Sequence, residues 1–460
     1  MVGAFGKVLV ANRGAVAARV LRALSQMKIP SVAVYSDADA AAPYLALAGE
    51  TVRIGTAPAR ESYLNQDALI AALLATKVDG VHPGYGFLAE NAEFARRVNA
   101  AGAIFIGPSP SWIDAMGHKA RARALAERYG LPMAPASGVL GRDPTAILEA
   151  AERIGFPVLV KPAGGGGGIG MLAAESAVEL VATVERAGVL AQRNFGTDEV
   201  YLEKLVRRPR HVEIQLLGDK HGAVAALFER DCSMQRRHQK VIEEAPAPGI
   251  ARARIDALTA AVADKLGTAG YDNLGTVEML MDGDGRFTFL EMNTRLQVEH
   301  GVTEEVTGID LVHAQIRSSA GERLDQIIER HPSINGHAIQ ARVYAEDPKR
   351  FFPSPGRLAV FRPPPGPGVR IETGYAEGGE VTPHYDPLLA KVIVHRPTRE
   401  DARMALVEAL DAFHVEGIKT NIPALRIALE SEEFRAGQPH TELLPQIVNR
   451  ALQRRTQTVQ

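Results

Sequence analysis

The stretch Glu291-Met292-Asn293-Thr294-Arg295-Leu296-Gln297-Val298-Glu299-His300 sets two carboxylates, side-chain amides, a guanidinium and an imidazole close together. A core strand or helix cannot hold so many polar groups unpartnered. Each buried, unpaired one costs about 1–3 kcal/mol, and a charge costs more. The stretch continues directly from Phe287-Thr288-Phe289-Leu290, an apolar run with the composition of a core strand. Polar groups projecting from a strand end are where binding and catalytic sites are commonly built. A solvated strand-to-loop transition is the plainer alternative. What the groups would hold depends on the rest of the chain.

Thr276 to Met281 and Arg286 to Met292 read as strands joined by Asp282-Gly283-Asp284-Gly285, a strong hairpin signal. The loop is not a calcium site, because its fifth position is Arg286 and not an oxygen ligand. A four-residue loop sets Glu278 opposite Phe289, with Glu291 as its diagonal neighbour on the same face, roughly 7–8 Å away. Asn293 shares that parity. Two carboxylates aimed into one space repel unless a cation lies between them. Glu278, Glu291 and Asn293 are all oxygen donors, which select Mg²⁺ or Mn²⁺ over zinc. Two independently solvated acids would give the same pattern.

Pro157 to Pro162 reads as a strand ending in Lys161. Gly164 to Gly168 follow, then Ile169-Gly170 and a returning strand, Met171 to Ala174. Gly165, Gly167 and Gly170 match the spacing of the dinucleotide fingerprint, but no helix opens at the glycines. No Gly-Lys-Ser/Thr follows, so this is not a P-loop. The remaining reading is a glycine-rich flap, mobile when empty, whose amides close over phosphates. A flexible linker fits poorly, since linkers are not flanked by strands. Asp198 to Leu205 is a strand with Glu203 and Lys204 near its end. Lys119 lies beside Arg121 and Arg123 on a helix from about Ser111 to Gly130, so it belongs either to the site or to a solvated basic face.

His211, Glu213 and Gln215 alternate with apolar residues and so share one face of a strand. Arg230 to Lys240 is a second dense polar stretch, just past an apolar strand at Val224 to Phe228, and too mixed in sign for nucleic acid. Arg207-Arg208-Pro209-Arg210 reads as a solvated basic run. Cys232 reads as a packed thiol, with nothing to lower its pKa.

The elements that must position these groups fall into three regions, as 460 residues suggest. In the first, strands at Lys7 to Ala11, Ser31 to Tyr35, Gly80-Val81 and Ala103 to Ile106 alternate with helices at Ala15 to Met27 and Ala68 to Ala75. That alternation predicts an α/β parallel sheet, whose ligands bind beyond the strand C-termini. Asn12-Arg13-Gly14 and His82-Pro83-Gly84-Tyr85-Gly86-Phe87 stand at two such ends. The strands and glycine flap of the middle region follow, with a helix from Ala251 to Gly270. After about Asn335, short strands at His337 to Tyr344, Val369 to Thr373, Gly379 to Pro383 and Lys391 to His395 predict an antiparallel α+β region. Helices at Arg399 to Ala412 and Ile422 to Glu430 close it. Arg342, on the first of these strands, is placed to reach back to the cleft.

Hydrophobic residues make up 46% and charged residues 23%, the balance of a globular protein with a large core. A net charge of −2 gives no global field for nucleic acid or an anionic membrane. One cysteine excludes intrachain disulfides and fits a reducing cytoplasm. No apolar run approaches the roughly 20 residues that span a bilayer, and Met1 to Val10 lacks the order of a signal peptide.

A glycine flap, converging lysines and paired acids on a hairpin make a metal–nucleotide site of non-P-loop type. Phosphoryl transfer needs positioning and cations against the phosphate charge, here Lys119, Lys161 and two metal ions. Arg295 and Glu299 lie past the metal ligands, placed to hold an anionic acceptor and to act as base.

With these residues in view, the chain resembles the biotin carboxylases, ATP-grasp enzymes of biotin-dependent carboxylases, from about Lys7 to Leu444. The matching motifs are Ala11 to Gly14, His82 to Leu88, Gly164 to Gly168, Glu229 to Lys240, Glu291 to His300 and Gly417 to Asn421. The resemblance implies an N-terminal parallel-sheet (pre-ATP-grasp) domain at 1–117 and an ATP-grasp domain at 118–333, with a mobile lid at about 134–204. A C-terminal antiparallel domain at 334–446 and a tail at 447–460 would follow. It implies carboxylation of biotin N1′ by bicarbonate and ATP through carboxyphosphate. Lys119, Lys161, Gly166, Gly167, Gly168, Glu203, Lys204, His211, Gln235, His238, Glu278 and Glu291 would contact ATP. Glu278, Glu291 and Asn293 would meet the metals. Lys240, Arg295, Gln297, Val298 and Glu299 would take bicarbonate, with Glu299 as base. His82, Arg295 and Arg342 would meet biotin, the arginines stabilising its enolate.

Ile169, Pro162, Gly301 and Ala15 depart from the family pattern. Gly168 to Met171 and Asn194 to Gly196 are more similar to its urea carboxylase branch. Biotin is attached at a lysine flanked by methionine, and the only Met-Lys pair, Met27-Lys28, ends a helix. A separate biotin carrier protein, carboxyltransferase subunits and a homodimer are the expected partners. Another ATP-grasp carboxylate–amine ligase and a non-catalytic nucleotide-binding regulator are the rival readings. The ligase would not need Arg295 and Glu299 in this arrangement, and a regulator should show decayed metal ligands.

Overall fold

The computed structural model describes residues 5–164, 170–329, 332–364 and 366–458. Strands β1 (Val8–Val10), β2 (Ser31–Ser36), β3 (Glu50–Gly55), β4 (Gly80–His82) and β5 (Ile104–Phe105) form a parallel sheet in the order β3-β2-β1-β4-β5. Every residue of β1 is apolar and buried, as in a parallel strand covered on both faces. Strand β3 escapes the sequence reading because it is an edge strand in which Ile54 alone is buried, so its composition is polar.

Asn12, just past β1, donates to the carbonyls of Pro83 (2.7 Å) and Tyr85 (2.8 Å), which joins the two turns singled out in the sequence. Gly84 between them has φ +65°, where any side chain would also meet Asn12. His82 is fully buried, and its Nδ1 accepts from the Gly84 N–H at 3.0 Å. It shapes the turn from behind and presents no surface to the cleft. The helix expected from Ser111 to Gly130 is two helices, Pro110–Met116 and Lys119–Arg128. His118 caps the second, so Lys119 stands in its first turn and not along a mid-helix face.

Strands β6 (Ala136–Val139), β7 (Val158–Pro162), β8 (Leu172–Ala174) and β9 (Val200–Lys204) form an antiparallel sheet in the order β6-β9-β7-β8. β7 and β8 pair as a hairpin, Val158 opposite Ala174. Residues 165–169, with Gly166, Gly167 and Gly168, lie outside the described residues. Helices Pro144–Ile154 and Ala177–Phe195, not read from the sequence, pack on this sheet through Ile147, Ala151, Leu180 and Ala187.

The remaining strands are β10 (Arg210–Gly218), β11 (Val224–Arg236), β12 (Gln239–Ala245), β13 (Leu274–Met281), β14 (Phe287–Asn293), β15 (His337–Tyr344), β16 (Gly356–Arg357), β17 (Val360–Arg362), β18 (Val369–Thr373), β19 (Glu380–Val381), β20 (Leu388–Arg396) and β21 (His414–Glu416). Eight of them make one antiparallel sheet in the order β14-β13-β10-β11-β12-β15-β20-β18. The sheet runs unbroken from the middle region into the third through the β12–β15 pairing, Ile242 opposite Ala341. The antiparallel C-terminal strands thus extend the central sheet and do not form their own. Strand β11 runs on through the polar stretch to Arg236, so those groups lie inside the sheet. Arg207 and Arg208 are exposed, as expected of a solvated run, whereas Arg210 is half-buried and pairs with Asp231 at 2.7 Å.

The β13–β14 hairpin has a longer loop than expected, because Met281 pairs with Phe287, and a bulge follows between Glu278 and Met279. The two one-residue shifts add in register and cancel in facing. Glu278 therefore lies directly opposite Glu291, not diagonally. At Gly301, where the resembled family carries proline, a Cβ would sit 2.4 Å from Ile393 Cδ1, so Ile393 fills that space.

His82 and His300 are both fully buried. Burial first, then the positive charges of Arg19 and Lys391 respectively, depresses them to about 3 and about 4 from 6.5. Each is neutral when folded, whereas the unfolded chain takes up their protons below pH 6.5. Stability is therefore present above that pH and lost as pH falls toward 4. Urea unfolding should show the pair costing about 4 kcal/mol between about pH 7.5 and pH 5, and His300→Gln should remove about half of that slope. An unchanged slope in the variant would contradict a neutral His300.

Candidate active site

The central sheet carries its polar face where β10, β12, β13 and β15 lie near one another, and the loop 294–299 crosses that face before the helix His300–Thr307. Lys240, on β12, is at the centre. Its Nζ lies 2.6 Å from Glu213, 2.6 Å from Glu278, 2.7 Å from Glu299 and 3.4 Å from the Gln297 side-chain Oε1. Burial would drive such an ammonium to lose its proton. The three carboxylates outweigh that and hold its pKa well above the ordinary lysine value.

Each carboxylate has further partners. Glu213 accepts from Arg230, which is fully buried and also donates to Gln215 (2.7 Å) and Thr303 (2.8 Å). Glu299 accepts from Arg342 at 3.0 Å, and Arg342 is paired in turn with Glu243. Burial raises the pKa of Glu299, but the charges of Lys240, Arg342 and Arg230 oppose it and leave the carboxyl well below its ordinary range. Glu299 is ionised, which is the form a base must have. Cys232 is buried beside it, Sγ 4.0 Å from Oε1. Burial, with the charge of Glu213, pushes that thiol up, in agreement with a packed role.

Glu278 takes hydrogen bonds from Asn293 and Gln297, both at 2.9 Å, and lies 3.0 Å from His211 Nε2. Opposite it, Glu291 accepts no hydrogen bond or ion pair from any described residue, and burial followed by the Glu278 charge raises its pKa. An acid without a partner beside a second acid is what a divalent cation would neutralise, and the oxygen donors suit Mg²⁺ or Mn²⁺. Asn293 donates to Glu278 at 2.9 Å and accepts from Arg295 at 2.6 Å, which leaves its oxygen a second lone pair.

Lys161 bonds Glu203 at 2.8 Å, and Arg123 bonds the other Glu203 oxygen at 2.9 Å. Lys119 is shifted down by burial and by Lys161, against the pull of Glu291 and Glu203. Lys119 thus feels the charges of Lys161, Glu291 and Glu203. Gln235 reaches His211 Nδ1 at 3.1 Å. His238 is exposed at the tip of the β11–β12 turn. Lys204 points away, its Nζ donating to Gly155 (2.9 Å) and Phe156 (2.8 Å) carbonyls, so any contact it makes with a nucleotide is through its backbone.

Glu90 was missed in the sequence. It accepts from Arg295 at 2.7 Å and from the Thr294 N–H at 3.2 Å, pinning the loop 294–299 to the N-terminal region. Glu243, Arg230 and Lys391 were missed as well. Arg230 lies between Glu229 and Asp231 and Glu243 beside Glu244, so neither shows the alternation of His211 to Gln215, whereas Lys391 stands alone in an apolar strand, a signal that was legible.

Residues 4–113 match the family "Biotin carboxylase, N-terminal domain", 118–327 match "Carbamoyl-phosphate synthase L chain, ATP binding domain", and 340–446 match "Biotin carboxylase C-terminal domain". The chain is 46% identical to the biotin carboxylase of Halalkalibacterium halodurans over 437 residues, 95% of this chain and 96% of that one. It is 46% identical to biotin carboxylase 2 of Bacillus subtilis over 445 residues, 96% and 99% of the two. The biotin carboxylase domain dimer of Hydrogenobacter thermophilus 2-oxoglutarate carboxylase, solved with MgADP, ADP and bicarbonate, superimposes with a TM-score of 0.92. It shares 41% identity over 97% of this chain and 99% of that one. Biotin carboxylase of Campylobacter jejuni also gives 0.92, at 39% identity over 96% and 99%. With that identity held along nearly its whole length, the chain belongs to the biotin carboxylase family of ATP-dependent ligases.

Proposed function

We propose that the chain carboxylates biotin N1′ with bicarbonate and ATP, through carboxyphosphate. The observation that carries this reading is Glu299, ionised between Lys240 and Arg342, with Gln297 sharing the same Lys240 ammonium. Lys240, Arg295, Gln297 and the Val298 backbone bind the bicarbonate anion. Glu299 takes its proton, and the freed oxygen attacks the γ-phosphate to give carboxyphosphate and ADP. When bicarbonate takes a share of Lys240, that ammonium holds Glu299 less strongly and the carboxylate becomes more basic. Lys119 and Lys161 counter the phosphate charge, while Glu203, His211, Gln235 and His238 contact the nucleotide, beneath the flap of Gly166 to Gly168. Glu278, Glu291 and Asn293 are the residues to hold divalent ions, which supply Lewis-acid neutralisation of the phosphates. Arg295 and Arg342 stabilise the biotin enolate. The 2-oxoglutarate carboxylase domain solved with MgADP and bicarbonate supports the same occupants here.

The proposal includes a homodimer, since that domain was solved as one. It keeps the division at 117 and 333, although the sheet crosses the second boundary. It also includes carboxyltransferase subunits and biotin delivered on a separate carrier protein. Methylcrotonoyl-CoA carboxylase subunit alpha of Oryza sativa is 44% identical to this chain, which spans 62% of it. In this chain Met27-Lys28 closes a helix, with Lys28 at φ 58°, and offers no biotinylation hairpin. Mass spectrometry of the protein expressed with a biotin ligase should find no biotinylated lysine, and finding one would refute delivery from outside.

ATP hydrolysis measured with bicarbonate should rise on adding free biotin, and Glu299→Gln should slow it by about 10²–10⁴ with little change in MgATP affinity. Full activity in that variant removes Glu299 as base. Glu291→Gln should raise the Mg²⁺ needed for half-maximal activity by about 10–100-fold. Without metal it should melt no lower than the unaltered protein, because the lost charge made no hydrogen bond or ion pair and repelled Glu278; a lower melting temperature would contradict that placement.

A further inference from the structure

Among the described residues, Lys391 is the one fully buried lysine that the proposed chemistry does not use. It sits on β20, flanked by Arg342 on β15 and Glu372 on β18, and pairs with the Glu372 carboxylate. Its Nζ also donates to the Val298 carbonyl at 2.8 Å. That carbonyl belongs to the peptide unit linking Val298 to Glu299. A trans peptide is planar, with its N–H opposite its C=O. Holding this one oxygen therefore fixes the direction of the Glu299 N–H and limits rotation about both flanking Cα atoms. No described group accepts from the Val298 or Glu299 amides, so the loop's donors stay available on the side away from Lys391.

The pairing is built at some cost. A buried ammonium without its acid would be depleted, and burial does lower the Lys391 pKa, against the pull of Glu372. Glu372 is anchored in turn by Arg370, with Arg19 3.6 Å away. Lys391 is thus backed by a charge network independent of Lys240.

We propose that Lys391 is a positioning residue that sets the bicarbonate subsite, by orienting the Gln297-Val298-Glu299 backbone through the Val298 carbonyl. This rests on the reading of that loop as the bicarbonate site. Loss of the hydrogen bond weakens bicarbonate capture and leaves ATP, held by the lid and the hairpin, almost unaffected.

The test is steady-state, bicarbonate-dependent ATP hydrolysis with free biotin. Removing lysine alone strands Glu372, so the informative pair is Lys391→Met with Glu372→Gln, against Lys391→Gln with Glu372→Gln, which keeps an N–H donor. Circular dichroism melting confirms that each is folded. The methionine double variant should raise the KM for bicarbonate about tenfold with the KM for ATP within about twofold, and the glutamine version should recover part of the loss. If it does not fold, Lys391→Arg decides instead, with a bicarbonate KM raised at least about threefold expected. An unchanged bicarbonate KM, or equal rises in both constants, overturns the role while the functional reading stands. An unaltered protein without bicarbonate-dependent hydrolysis overturns the functional reading and this role with it.

Discussion

The structure depends on one ammonium. Lys240 meets Glu213, Glu278 and Glu299 at 2.6–2.7 Å in a place that water barely reaches. Carboxylates that close together repel strongly in a medium of low dielectric, and removing one partner of a buried pair leaves an uncompensated charge. Arg230 and Arg342 complete the balance from below and beside, the first through Glu213, the second through Glu299 and Glu243. The balance stops short at one edge. Glu291 faces Glu278 without a hydrogen bond or ion pair from any described residue, and the charges of Lys119 and Lys240 offset that repulsion only in part.

Such a cluster requires strands held in fixed register. Its members come from β10, β11, β12, β13 and β15, and from a loop tied to the N-terminal region by Glu90. A sheet that ended at the boundary between the middle and third regions would leave Arg342 and Lys391 without a fixed relation to Glu299. Pairing of β12 with β15 supplies that relation, so the chemistry spans regions that look separate along the chain.

The departures from the family pattern are unequal in what the structure says of them. Gly301 is explained by Ile393, whose terminal methyl occupies the space a side chain there would need. Ala15 is packed in the first helix and Pro162 closes β7 beside Gly170, neither at the charged cluster. Nothing in the described structure bears on Ile169.

The sequence by itself determined the element types, because hydrophobic period and turn residues are local: the N-terminal parallel sheet, the β7–β8 hairpin and the helices Arg399–Ala412 and Ile422–Glu430 were all legible. It also determined which groups could do chemistry, since Glu278, Glu291, Arg295 and Glu299 stand at strand ends or with one parity. Only the tertiary structure decided what those groups touch. A bulge between Glu278 and Met279 cannot be read from residue types, yet it sets Glu278 directly opposite Glu291. His82 looked like a cleft residue because it follows a strand, and it is buried because the turn folds back over it. Glu90 and Lys391 lie some 200 and 90 residues from the loop they hold. Contacts at that separation follow from how strands order in a sheet, and periodicity along the chain carries no record of that order.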